Sequence, residues 1–126
     1  MKTYLISLFS PDGPPPAEVD LSRIMTDLEV VNDEIRAAGS WVFAGGLGDQ
    51  ASATTIRKSD AVADAVLTDG PFIEAKEHLG GFTIVRSDDY DVVLGWAERI
   101  AGVTGLPVEV RPFVDQDDPG QVPTDR

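Results

Sequence analysis

The chain has 126 residues, ten of them basic and twenty-two acidic, for a formal net charge of −12. That length suits one domain with a real core, and the charge repels phosphate backbones and anionic lipid surfaces, so neither nucleic acid nor a membrane is expected as a partner. With no cysteine in the sequence, a disulfide framework, a thiolate nucleophile and a Cys-ligated metal are all excluded, and a cytoplasmic location is expected.

Tyr4, Ile6 and Leu8 alternate with Leu5 and Phe9, which predicts a first strand apolar on both faces. Its apolar run is too short for a signal sequence, and no run approaches the roughly 18 apolar residues that span a membrane. The proline-rich stretch Ser10–Pro16 reads as a loop. Leu21, Ile24, Met25, Leu28, Val31 and Ile35 then recur at helical spacing, with Asp20 as N-cap and Gly39 just past the C-terminus. Trp41–Ala44 reads as a strand stopped by the glycines from Gly45 to Gly48. Thr54–Lys58 and Ala65–Thr68 are short β-prone runs around a turn at Ser59-Asp60.

Phe82–Arg86 is the next strand. Ser87–Asp91 supplies a cap and negative charge for a second helix, whose stripe is Val92, Val93, Trp96, Ala97 and Ile100. Gly102 or Gly105 ends it, and Pro107–Phe113 alternates as a final strand. The order is strand, helix, strand, a hairpin excursion, strand, helix, strand. This predicts an α+β fold: a split βαβ pattern with both helices on one face of a mainly antiparallel sheet. The opposite face needs cover, so a symmetric homodimer is expected. The domain is placed at residues 1–114. The acidic Pro/Gly-rich remainder, 115–126, reads as a disordered, solubilising tail.

Residues 68–82 crowd the most chemistry into the least chain. Asp69-Gly-Pro-Phe72 is a stiff turn, because Pro71 fixes its own φ and restricts Gly70. A helical turn over 73–79 would set Glu74 and His78 at i, i+4, where they can pair. Asp69 and His78 are the candidate catalytic groups. Phe72, Glu74, Lys76, Glu77, Gly80 and Gly81 are the candidate ligand contacts, able to hold a small anionic or carbonyl substrate. Each has a plainer reading. Asp69 can be a turn-former, His78 a solvated surface residue, Lys76 and Glu77 an exposed charged pair, and the glycines backbone geometry. One histidine and no Ca²⁺-loop spacing give no metal site, Gly45–Gly48 lacks the spacing of a phosphate loop, and no cofactor is expected.

Thr68-Asp-Gly-Pro-Phe72, Lys76-Glu-His-Leu-Gly-Gly-Phe82 and Val108-Glu-Val-Arg-Pro-Phe113 occur in that order. With Ala37–Gly39 running into Gly45–Leu47, and with Thr54–Arg57, they resemble the DGPF branch of the YCII-related family over about residues 2–113. The resemblance implies a ferredoxin-like fold that dimerises as an α/β barrel with one cleft per protomer. Some YCII-related members are implicated in lactone or dehalogenation chemistry through a His and Asp pair. DGPF members are linked to extracytoplasmic-function sigma factors, which implies a protein partner in transcription. The histidine of the enzymatic members lies in the first helix. Residues 20–38 contain none, so that pair does not carry over. Two functions follow as expectations: a small-molecule-binding or regulatory protein, or an acid–base isomerase or hydrolase of a small metabolite.

Overall fold

The computed structural model describes residues 1–72 and 76–114. Glu74, and the tail for which disorder is expected, lie outside the described residues. The elements are β1 (Lys2–Pro11), α1 (Leu21–Ala37), β2 (Trp41–Gly46), β3 (Thr54–Arg57), β4 (Val66–Asp69), β5 (Glu77–Ser87), α2 (Tyr90–Thr104) and β6 (Val108–Pro112), with a short 3₁₀ turn at Gln50–Ser52.

Four strands form one antiparallel sheet in the order β2-β5-β1-β6, and β3 pairs with β4 as a separate hairpin. β5 lies between β1 and β2, which α1 connects, and β1 lies between β5 and β6, which α2 connects. This is the ferredoxin-like arrangement that the alternating periods predict.

The helix ends obey local chemistry. Asp20 accepts from the Arg23 amide at 3.0 Å and starts α1. Asp89 accepts from the Asp91 and Val92 amides and starts α2, and Gly105, at φ +70°, closes it. The stripe of α1 brings in Val31 and Ile35, and that of α2 brings in Val93, Trp96, Ala97 and Ile100. Both meet Tyr4, Ile6 and Val85 on one sheet face. Burying each of these large aliphatic side chains stabilises the fold by about 1.5–3 kcal/mol.

β1 runs on through Ser10 and Pro11, which the sequence reading placed in the loop, and two further boundaries differ at glycines. β2 runs on through Gly45 and Gly46, which pair with Phe82 and Gly81, and β5 starts at Glu77 rather than Phe82. Ladder pairing overrides the low strand propensity of glycine, with β2 paired on one side to β5 and β5 paired on both sides. The helical turn expected over 73–79 is therefore not formed at Glu77–Leu79, which are strand. At the β1–β5 bulge Leu8 faces Gly81 and Phe9 faces Leu79, leaving Gly80 unpaired.

Outside the core, Arg36 in the last turn of α1 lies 4.2 Å from the Trp41 ring centroid. It also bonds Glu29 at 2.6 Å and Asp33 at 2.8 Å. The Arg36 hydrogen bond, then that of Asn32, holds the Glu29 carboxyl below its ordinary value of 4.5. A lowered folded-state value means that this contribution is present above the ordinary value and lost as pH falls through the folded one. In urea unfolding, Arg36→Met is therefore expected to lie below the native chain at neutral pH, with the gap narrowing in acid. A gap that stays constant would show that only the Trp41 contact matters.

Candidate functional site

His78 is the second residue of β5, directly opposite Ser10 of β1 in the antiparallel ladder. The ladder continues past the end of β1, where the Asp12 amide donates to the Lys76 carbonyl at 3.0 Å. Asp12, in the Pro-Asp-Gly turn, is thereby delivered beside the histidine. His78 Nε2 stands 3.0 Å from Asp12 Oδ1, with the imidazole side chain 13% exposed and that of Asp12 56% exposed. A largely sheltered ring thus faces a wetter carboxylate at ion-pair distance.

The same carboxylate oxygen accepts from Gln50 Nε2 at 2.6 Å. Gln50 opens the 3₁₀ turn, which Asp49 caps by accepting from the Ala51 amide at 3.0 Å. Backbone bonds fix this segment at both ends. The Leu47 amide donates to the Gly80 carbonyl at 2.9 Å, and the Gly70 amide donates to the Ala53 carbonyl at 2.7 Å. Leu47, Gly48, Asp49, Gln50, Ser52, Ala53, Pro71, His78 and Leu79 line a half-open cleft of about 420 Å³. The 3₁₀ turn and the base of the β3–β4 hairpin form one wall, and the start of β5 forms the other.

The structure disperses the remaining predicted residues. Asp69 ends β4 and is exposed; it does not line the cleft, and the carboxylate at His78 is Asp12. Gly70 takes φ +102°, a backbone region that favours glycine, and its carbonyl accepts from Thr55 Oγ1 at 2.8 Å. The turn therefore serves to seat Pro71 in the cleft wall. Phe72 is exposed under Arg57, whose guanidinium carbon lies 4.7 Å from the ring centroid. Lys76 and Glu77 are exposed, and neither lines the cleft.

At Gly80 a side-chain Cβ would collide with Ser10 Oγ, and at Gly81 it would lie 3.1 Å from the Gly45 carbonyl oxygen. Close approach at the double glycine is thus by the protein's own atoms. Among the described residues no three His, Cys, Asp or Glu side chains converge as metal ligands. No helix there is long and apolar enough to cross a membrane.

Asp12 and Gln50 escaped the sequence reading. The available signal was an aspartate just beyond the end of β1 and a histidine at the start of a strand antiparallel to it. It becomes legible only once that pairing is known.

Fold and site together define a ferredoxin-like α+β protein with a carboxylate–imidazole pair at the edge of a cleft. A family profile described as the YCII-related domain matches residues 15–114. An uncharacterised protein of Rhizobium meliloti (strain 1021) is 32% identical over 105 residues, covering 81% of this chain and 82% of that protein. The chain belongs to the YCII-related family. Asp12 stands just ahead of the matched segment, and His78 within it.

Proposed function

We propose that this protein is an acid–base enzyme, an isomerase or hydrolase, acting on a small metabolite held in the cleft. The observation that carries the reading is the 3.0 Å contact between His78 Nε2 and Asp12 Oδ1, with the imidazole on the cleft wall. The imidazole moves the proton at the reacting atom, and Asp12 orients the ring and balances its charge in the protonated form. Leu47, Pro71 and Leu79 supply apolar surface for the body of the substrate. The test is turnover by the native chain against His78→Gln, and equal rates would overturn the reading.

We further place the chain in the DGPF branch, on the Asp69-Gly-Pro-Phe72 turn, and regard it as a cytoplasmic homodimer. The support for the dimer is the sheet face opposite the helices. It carries Leu5, Phe43, Phe82 and Ile84, with Phe43 56% exposed and its ring 5.9 Å from that of Phe82. A second copy packed there would bury this apolar strip and turn two sheets into one barrel. By sedimentation the native chain is expected to run as a dimer at micromolar concentration, and Phe43→Asp as a monomer. A native monomer would remove the case for the barrel. The regulatory reading, with a sigma factor as partner, rests on the resemblance, and co-purification with the native protein is its test.

A further inference from the structure

We infer that the cleft takes an amine-bearing small molecule, cationic at neutral pH, and turns away carboxylates and phosphates. The inference rests on the acid–base reading of the cleft and names the class of molecule held there.

Leu47, Ala53, Pro71 and Leu79 give the cleft apolar surface for a carbon body. Among the described residues the lining contains no lysine or arginine, and its ionisable side chains are His78 and Asp49. Asp12 joins them, with Oδ1 3.0 Å from His78 Nε2 and accepting from Gln50 Nε2 at 2.6 Å. Asp49 directly precedes Gln50 as the cap of the 3₁₀ turn. Two carboxylates therefore flank Gln50. Each keeps an oxygen to spare. Asp49 Oδ1 accepts from the Ala51 amide, Asp12 Oδ1 has the two neighbours above, and neither Oδ2 accepts a hydrogen bond among the described residues.

The sign of the site does not depend on the imidazole. A protonated His78 adds one positive charge, which Asp12 beside it offsets, and Asp49 is left over. A neutral His78 leaves both carboxylates uncompensated. The surrounding chain, at −12, has the same sign. An entering anion would shed water and meet carboxylates with no guanidinium or ammonium to pair with, and a sheltered charge without a partner is costly. An ammonium group instead brings three donors to oxygens that only accept, and the field draws it in. The nearby cations are placed elsewhere: Lys76 is exposed and outside the lining, and Arg57 lies over Phe72.

Three probes share one carbon skeleton: isopentylamine is cationic, isovaleramide neutral and isovalerate anionic at neutral pH. The sequence has one histidine, so its ring signals in proton NMR of the full chain report occupancy of the cleft. Isopentylamine is expected to bind saturably and about tenfold tighter than isovalerate, with isovaleramide between them. The preference is expected to shrink as salt screens the carboxylates. Asp49→Asn keeps the cap, because Asn caps as well as Asp. It is expected to weaken the amine about threefold or more. Asp69→Asn removes the same unit of charge outside the cleft, and native affinity is expected there.

Isovalerate binding as tightly as the amine, or no saturable binding of the amine, would overturn the inference. Equal losses in Asp49→Asn and Asp69→Asn would overturn it too, by tracing the preference to net charge and not to the cleft. If the amine is preferred while His78→Gln leaves turnover intact, the ligand class stands and the catalytic reading falls. If isovalerate is preferred and His78→Gln is dead, the enzyme stands and the ligand class falls.

Discussion

Replacing His78 by Gln is expected to lower turnover by roughly a hundredfold or more, within the 10²–10⁴ range that a positioned general acid–base group contributes. Gln has a similar reach and its amide can still bond Asp12, so the cleft keeps its shape while losing the group that titrates. Asp12→Asn leaves the imidazole in place but replaces an acceptor-only group with one that also donates. Losing the charge 3.0 Å from the ring is expected to lower turnover roughly tenfold, equivalent to about 1.4 kcal/mol.

The double variant should be little worse than His78→Gln alone, because Asp12 acts only through the ring. Additive losses would mean that Asp12 touches the substrate independently. Full activity in His78→Gln would leave the cleft without acid–base chemistry. Asp69→Asn is the internal control: it is exposed at the end of β4 and outside the cleft lining, so near-native turnover is expected.

The second large effect falls on stability. Ile35 is fully buried at 0% exposure, where α1 meets the sheet and α2. Ile35→Ala removes three carbons from a closed site and leaves a cavity, at an expected cost of about 4 kcal/mol. Against a usual total of about 5–15 kcal/mol for a domain, the variant would be on the margin of folding. Urea unfolding should show a lower midpoint at an unchanged slope. Met25, one residue after Ile24 on the same helix, is 65% exposed; Met25→Ala should stay within about 0.5 kcal/mol of native. Equal losses at the two positions would mean that α1 docks through a different face.

These two sites were not equally visible in the sequence. Ile35 belongs to a helical repeat of which Val31 and Ile35 are buried while Leu21 and Met25 are exposed, and Asp20, Asp89 and Gly105 punctuate helices by bonds to residues within one turn. The order of elements along the chain followed from alternation between periods of two and 3.6. The glycine-containing ends of β2 and β5 did not, because these glycines break a local pattern while Gly45 pairs with Phe82 and Gly46 with Gly81 across the ladder. The i, i+4 pairing foreseen for His78 assumed a helical turn where the chain is strand.

By itself, then, the sequence determined what depends on near neighbours: element order, helix caps, the stiff Asp69-Gly-Pro-Phe72 turn and one histidine as the focus of any acid–base chemistry. Tertiary structure alone decided that histidine's company. Asp12 reaches His78 because β1 and β5 run antiparallel in one register, and Gln50 arrives from the loop after β2, 38 positions from Asp12. A cap or a turn is settled by bonds a few residues long, whereas a pair across strands exists only when the whole sheet has closed around it.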